Sequence, residues 1–203
     1  MEQYKDHWER IFETKSPEQV SWTERYPQTS IDLILASGIE KNDAIIDVGG
    51  GDSLLIDALL DLGFTNLSVL DISVKALERA QKRLGKRAKE VKWIESNILD
   101  FKPQKSYTLW HDRACFHFLT KEEEIKKYTT LVDLAKIESL VLGTFSTSGP
   151  QKCSGLVIKQ YDCKSLAACF KTHFSQLECL ETDHTTPFDT TQKFIFSRFK
   201  RRP

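Results

Sequence analysis

Three consecutive glycines follow a short apolar run that contains an acid. Residues 44–48, which include Asp47, predict a strand. Gly49, Gly50 and Gly51 follow it, and a helix is predicted to start near Ser53. Glycines allow a tight turn and a close approach of the backbone to a ligand, because they have no Cβ. The helix start adds unpaired N–H groups that favour a polar or anionic ligand group. This segment therefore predicts a ligand-binding loop between a strand and a helix.

A second acid ends the next apolar run. Residues 67–71 predict a strand that ends at Asp71, 20 positions after Gly51. A carboxylate at this place can accept hydrogen bonds from both hydroxyls of a ribose. The alternative interpretation makes the glycines an ordinary turn and Asp71 a cap for the helix that starts at Ser73, but it does not require both features at this spacing. The glycine loop and Asp71 together therefore favour an adenosine-containing cofactor.

The details of the loop discriminate between adenosine cofactors. A dinucleotide fingerprint, G-x-G-x-x-G, has a third glycine where Leu54 stands here. Carboxylates disfavour a diphosphate, and this loop carries Asp47 and Asp52. Two acids suit a cofactor with a cationic centre and an ammonium group, and S-adenosylmethionine (SAM) has both. An NAD-dependent oxidoreductase is therefore disfavoured.

These motifs resemble the class I SAM-dependent methyltransferases, from about residue 40 to the end of the chain. The pattern is Asp47-x-Gly49-x-Gly51 at the first strand, with Asp71 at the second. Ser53 stands where the family usually has a further glycine, and serine is also a good helix cap. The resemblance implies a set of cofactor-binding residues: Trp22, Asp47, Gly49, Gly50, Gly51, Ser53, Asp71, Ile72, Asn97, Ile98, His111 and Arg113.

Three of these residues have specific expected roles. Asn97 lies in a loop similar to the family's adenine loop, and its side-chain carbonyl can accept a hydrogen bond from the adenine amino group. Arg113 is expected to pair with a carboxylate of the cofactor or substrate, or else with its neighbour Asp112. Trp22 is expected to be a lid residue that faces the sulfonium, where an aromatic face gains cation–π attraction, or else a core residue.

Catalytic residues are expected after the fourth strand, where the family's cofactor faces the acceptor. His111, Asp112 and His117 are the predicted catalytic residues. His111 can offer its backbone carbonyl to the methyl group. His117 can remove a proton from the acceptor, because histidine exchanges protons near neutral pH. The alternative makes His117 a core histidine.

Contacts to the acceptor are predicted from four residues that follow the fourth and fifth strands. Residues 146–155 are small and polar and predict a flexible loop over the site. Cys153 in this loop is either a reactive thiol or an ordinary buried one. The predicted substrate-binding residues are Phe116, Cys153, Tyr161 and His184.

A narrower resemblance covers residues 109–120, whose sequence is LWHDRACFHFLT. This segment resembles a bacterial subgroup of small single-domain methyltransferases. Residues 8–22 resemble the same subgroup and, more loosely, small lysine methyltransferases that act on translation factors. The acceptor is therefore expected to be a small molecule, with a protein lysine as the alternative and a SAM-binding module without catalysis as the non-enzyme alternative.

The predicted elements alternate along the chain. Strands are predicted at residues 44–48, 67–71, 91–94, 107–110 and 139–145, with helices between them. Two further runs, near 174–180 and 192–199, have no helix between them and are predicted to pair antiparallel. This order predicts a doubly wound, mostly parallel sheet. The resemblance implies seven strands with the last antiparallel, in one domain (1–203) with a helical N-terminal cover (1–40) and a SAM-binding core (41–203).

The composition argues against several other classes of protein. The 203 residues carry 29 basic and 29 acidic side chains, and the balanced charge argues against a nucleic-acid binder. No apolar run approaches the ~20 residues that cross a bilayer. Five cysteines, without a CxxC pair, predict thiols in a cytoplasmic protein and neither a disulfide framework nor a metal site. The oligomeric state stays open.

Overall fold

The computed structural model describes residues 2–203 and contains one seven-stranded sheet. The strands in chain order are β1 (Ile45–Val48), β2 (Leu67–Asp71), β3 (Val91–Glu95), β4 (Leu109–Arg113), β5 (Ser139–Phe145), the short pair β6 (Lys152–Cys153) and β7 (Leu156–Val157), β8 (Phe174–Thr185) and β9 (Thr191–Arg201). The sheet order is β3-β2-β1-β4-β5-β9-β8, and β6 pairs only with β7. Strands β1 to β5 are parallel, and β9 runs antiparallel to both of its neighbours. The predicted doubly wound fold, with its last strand antiparallel, is therefore confirmed.

The α-helices of the described chain are α1 (Glu2–Thr14), α2 (Gln28–Ala36), α3 (Leu55–Asp61), α4 (Val74–Leu84), α5 (Glu122–Leu134) and α6 (Cys163–Phe170). Helices α2 to α6 cover the two faces of this sheet, and α1 lies at its carboxyl edge. Apolar side chains of α2, α3 and α4 form one buried cluster with the sheet, and those of α5 and α6 form the other. Strands β1 and β5 are buried along their whole length, which explains their continuous apolar sequences. Within residues 2–203, no helix has the length and apolar character needed to cross a membrane.

Two predicted segments differ in detail from the structure. Strand β4 begins at Leu109 and continues to Arg113, because its register with β5 runs as far as the pair Arg113 and Gly143. The predicted loop at residues 146–155 contains β6 and leads through a turn into β7, so part of it is a small hairpin. Both differences lie at the carboxyl edge of the sheet, where tertiary contacts rather than local sequence set the backbone.

The expectation that all five cysteines are thiols is wrong. Cys163 and Cys179 form a disulfide, and Cys115, Cys153 and Cys169 are free. Helix α6 packs against β8, which brings the two Cα atoms to 5.9 Å, within the usual range for a disulfide. The odd count and the lack of a CxxC pair could not reveal a bridge between residues that only the folded chain brings together.

Candidate functional site

A cavity of about 730 Å³ lies at the carboxyl ends of β1, β2, β3 and β4. One wall consists of the glycine loop and the strand ends, and the opposite wall consists of α1 and residues 17–27, which we call the cover. Every residue that the sequence predicted for the cofactor, from Trp22 to Arg113, lines this cavity. The carboxyl ends of parallel strands share one edge of the sheet, so residues far apart in sequence meet there.

The glycine loop has the shape that its sequence predicted. Gly49 and Gly51 have φ values of +67° and +43°, where side chains other than glycine are strained. A Cβ on Gly50 would lie 2.5 Å from Oδ2 of Asp47, and one on Gly49 would lie 2.7 Å from the Cβ of Cys115. The loop is therefore an open cradle that a side chain would fill, and its backbone is available to a ligand.

Asp71 occupies the end of β2 beside this cradle. Its Oδ1 accepts a hydrogen bond from the backbone amide of Ser73 at 2.8 Å. Burial raises the pKa of Asp71 to about 7, and the nearby carboxylates of Asp52 and Asp47 add to the effect. Its Oδ2 faces Gly51 across the cradle, 3.0 Å from where a Cβ of that residue would lie. A carboxyl group in this position can accept hydrogen bonds from ribose hydroxyls.

Asp47 and His111 are hydrogen-bonded neighbours on adjacent strands. Asp47 Oδ1 lies 2.7 Å from His111 Nδ1, and His111 Nε2 lies 2.9 Å from the hydroxyl of Ser30 in α2. All three residues are buried. The imidazole is held at both ring nitrogens, so its side chain is not free to take a proton from an acceptor. Ser30 was missed by the sequence analysis, because no motif connects α2 with the glycine loop.

Arg113 pairs with the cover and not with Asp112. Its Nη1 donates to the backbone carbonyl of Trp22 at 3.0 Å, and its Nη2 lies 3.2 Å from Oε1 of Glu24. The guanidinium also lies over the ring of Phe194, 4.6 Å from its centroid. Of the alternatives for Arg113, the internal pair with Asp112 is therefore wrong. Glu24, another residue that the sequence analysis missed, compensates the buried charge.

A cluster of four aromatic side chains, Trp8, Phe12 and Trp22 from the cover and Phe118 from the segment after β4, contributes to the cavity lining. Trp8 packs against Trp22 and Phe118, with ring centroids 5.7 and 5.2 Å apart, and Phe12 lies 6.3 Å from Trp22. Trp22 was predicted to be a lid residue, whereas Trp8 and Phe12 were not predicted to line the site. Aromatic faces attract cations, so this cluster is suited to a ligand with a sulfonium centre.

Asn97 lines the cavity, but its side-chain oxygen already has a partner. Oδ1 accepts a hydrogen bond from the backbone amide of Leu99 at 2.9 Å and so caps the short turn that follows β3. The carbonyl therefore has one remaining lone pair for the adenine amino group.

His117 and Asp112 lie outside the cavity wall. His117 is fully buried, and its Nδ1 accepts a hydrogen bond from the amide of Phe145 at 3.4 Å. Burial and the charge of Arg113 lower the pKa of His117 to about 3. Asp112 accepts hydrogen bonds from the hydroxyl of Tyr128 at 2.6 Å and from the amides that follow β4. Neither side chain is positioned for its predicted catalytic role, because both point into the core.

Some of the four residues predicted to contact the acceptor also lie away from the cavity. Cys153 lines the cavity, and burial raises the pKa of its thiol to about 12, so it is a neutral wall residue. Phe116 and Tyr161 stack in the core with centroids 5.3 Å apart. His184 donates from Nε2 to the backbone carbonyl of Ser21 at 2.7 Å and so holds the cover from behind. The structure therefore brings only Cys153 of these four to the cavity.

Comparison with protein families and curated proteins gives partial matches. Residues 45–136 match a family described as a methyltransferase domain. The chain is 24% identical over 123 residues to the eEF1A lysine and N-terminal methyltransferase of Mus musculus, and 28% identical over 121 residues to that of Danio rerio. Each match covers 59% of this chain, and the chain spans only 17% of the length of these relatives.

Solved structures match the whole fold. A SAM-dependent methyltransferase from Anabaena variabilis superposes with a TM-score of 0.75 at 15% identity and covers 99% of this chain and 94% of its own. The N-methyltransferase NodS from Bradyrhizobium japonicum, in complex with S-adenosylhomocysteine (SAH), gives 0.72 at 14% identity, with 99% and 98% covered. A Burkholderia thailandensis 1,6-didemethyltoxoflavin-N1-methyltransferase with bound SAH gives 0.70 at 11% identity, with 100% and 90% covered. Residues 45–136 therefore match a methyltransferase domain, and the chain as a whole has the fold of SAM-dependent methyltransferases of known structure.

Proposed function

We propose that this protein transfers the methyl group of SAM to a small-molecule acceptor, within a single domain whose N-terminal segment encloses the site through the cover. The observation that carries the proposal is the position of the cavity between the glycine loop and the cover. A site that is walled on both sides suits an acceptor that enters and is enclosed. An extended protein segment would require an open groove.

The residues of the site have separate roles in this proposal. Asp71 accepts the ribose hydroxyls, Asp47 faces the ammonium group, and the loop after β3, with Asn97, Ile98 and its neighbours, binds the adenine. The aromatic cluster of the cover lies over the sulfonium. Bound SAM supplies an electrophilic methyl group, and the protein contributes alignment of the acceptor and exclusion of water.

Proton removal by a histidine is not part of this proposal. His117 is buried away from the cavity, and the ring of His111 is held by Asp47 and Ser30. The acceptor is therefore proposed to arrive with a free electron pair. The neighbours described as N-methyltransferases favour a nitrogen acceptor. The protein-lysine alternative rests on the curated relatives, which are named for methylation of eEF1A.

The experiment is a screen for SAH release. Small amines, heteroaromatic nitrogen compounds, thiols and phenols form one arm, and unmodified protein extract and lysine peptides form the other. We expect turnover with a small nitrogen compound and none with the protein arm. Turnover only with protein would support the lysine alternative, and SAH binding without turnover in either arm would favour a binding module. Asp71→Asn, assayed in parallel, identifies release that does not depend on this site.

A further inference from the structure

Ser30, His111 and Asp47 form a continuous buried chain from α2 to the glycine loop. The two contacts measure 2.9 and 2.7 Å, and the three residues are 1%, 2% and 3% exposed. With a hydrogen on Nδ1, the imidazole donates to Asp47 Oδ1, and its Nε2 accepts from the Ser30 hydroxyl. Both hydrogen bonds are then satisfied without any other partner.

The same three residue types activate a serine nucleophile in hydrolases, but the geometry here excludes that role. A nucleophile must reach its substrate. Asp47 and His111 line the cavity, whereas Ser30 lies behind its wall and is 1% exposed. In this series of hydrogen bonds, the group that can contact a ligand is therefore the Asp47 carboxylate and not the Ser30 hydroxyl.

The position of Asp47 indicates the role of the three hydrogen-bonded residues. Its Oδ1 is held by His111, and its Oδ2 projects into the glycine cradle, 2.5 Å from where a Cβ of Gly50 would lie. An aspartate side chain rotates easily unless its oxygens are held. His111 is itself fixed by Ser30, which lies in the helix that directly follows the cover.

We propose that His111 and Ser30 are positioning residues that hold the Asp47 carboxylate for the ammonium group of the cofactor. The inference rests on the proposed function, and it assigns a role to a residue, Ser30, that does not line the cavity. Outer partners that orient a binding group can change affinity substantially without contact to the ligand.

Calorimetry with two ligands separates positioning from a general structural effect. SAH carries the ammonium group, and 5′-methylthioadenosine has the same nucleoside but no amino-acid part. We expect Ser30→Ala to weaken SAH about 2- to 10-fold and His111→Ala to weaken it about 10- to 100-fold. Binding of 5′-methylthioadenosine, measured directly or by competition, is expected to stay unchanged. His111→Asn, which keeps a donor near the Nδ1 position, is expected to restore most of the loss.

Two controls make the test decisive. Ser139→Ala removes an equally buried serine hydroxyl at the amino end of β5 and is expected to leave both affinities unchanged. In the Asp47→Asn background, Ser30→Ala is expected to add no further loss. Equal weakening of both ligands, or unchanged SAH affinity in folded Ser30→Ala and His111→Ala, would overturn the positioning role. A wild-type protein that binds neither ligand would instead overturn the proposed function, and the inference with it.

Discussion

The Glu9 carboxylate accepts a hydrogen bond from the backbone amide of Val74 at 2.8 Å. Glu9 also accepts from the Lys75 amide at 3.0 Å and from the Ser73 hydroxyl at 2.9 Å. Unpaired amides at a helix start favour a carboxylate, so α1 supplies a cap to α4. Since α4 begins at Val74, three residues after Asp71, the cover and the proposed ribose-binding acid meet at one helix start.

Removal of this cap is expected to loosen the cover. Burial acts against ionisation of Glu9, but its hydrogen bonds from Lys75, Val74 and Ser73 keep its pKa below the ordinary value. Glu9→Ala should lower the free energy of unfolding by about 0.5–2 kcal/mol, the usual range for loss of a helix cap. It should also increase protease cleavage within α1, even with SAH present. Glu13→Ala, an exposed change on the same helix, is the control, and equal cleavage of the two variants would contradict the capping role.

Asp71→Asn tests the ribose assignment. The amide offers one weaker acceptor in place of a carboxylate, and hydrogen bonds to charged groups contribute about 1.5–3 kcal/mol each. SAH affinity measured by calorimetry should therefore fall at least ~10-fold. Circular dichroism should remain that of the wild type. A folded variant with unaltered affinity would remove Asp71 from the site.

The raised pKa of Asp71 predicts a pH dependence of stability. The native state holds a proton on Asp71 up to a pH of about 7, whereas the unfolded chain loses it near ~4. The native state therefore binds more protons in this window, and stability falls as pH rises from ~4 through about 7. Urea unfolding should show a smaller fall over this window for Asp71→Asn than for wild type. Parallel curves for the two proteins would contradict the assignment of this proton to Asp71.

The same ionisation should appear in ligand binding. A carboxylate accepts from two hydroxyls better than a carboxylic acid does, so SAH affinity should rise with pH up to about 7 and then level off. Calorimetry in buffers of different ionisation enthalpy should detect proton release on binding at pH 6. Affinity that is flat from pH 5.5 to 8 in the wild type would argue against a contact between Asp71 and the ribose.

Glu24→Gln should destabilise the fold through Arg113. The side chain of Arg113 is 12% exposed, and Glu24 is the carboxylate that lies 3.2 Å from its Nη2. Without this partner the Arg113 charge is poorly compensated, and the free energy of unfolding should fall by about 1.5–3 kcal/mol. Chemical denaturation provides the measurement, and exposed Glu40→Gln is the matched control. If both variants unfold at the wild-type denaturant concentration, the ion pair does not hold the cover.

His117→Ala is expected to affect stability rather than turnover. The ring packs against Phe145 and Phe118, with centroids 4.9 and 4.6 Å away, so its removal leaves a cavity that costs about 2–4 kcal/mol. Turnover per folded molecule should stay within a few-fold of wild type once an acceptor is known. A stable variant that has lost ~10²-fold or more in turnover would restore the predicted base role.

The sequence predicted the parts of the site that follow strand ends. Asp47, the glycines and Asp71 meet because parallel strands share a carboxyl edge, and this rule needs only the order of elements. His117 could not be placed in the same way. Ala114 adopts a φ of +68°, so the chain turns sharply after β4, and the side chains of Phe116 and His117 enter the core. Glu9, Glu24 and Ser30, in the N-terminal segment, hold residues of the site or its cover through tertiary contacts that leave no local pattern.

A crystal structure of the protein with SAH tests the central claim most directly. We expect SAH in the cavity between the glycine loop and the cover, with a ribose hydroxyl within hydrogen-bond distance of Asp71 and the ammonium group facing Asp47. Its sulfur should lie beneath the aromatic cluster of Trp8, Phe12, Trp22 and Phe118. SAH bound elsewhere, or bound in this cavity with the ribose away from Asp71, would contradict the account.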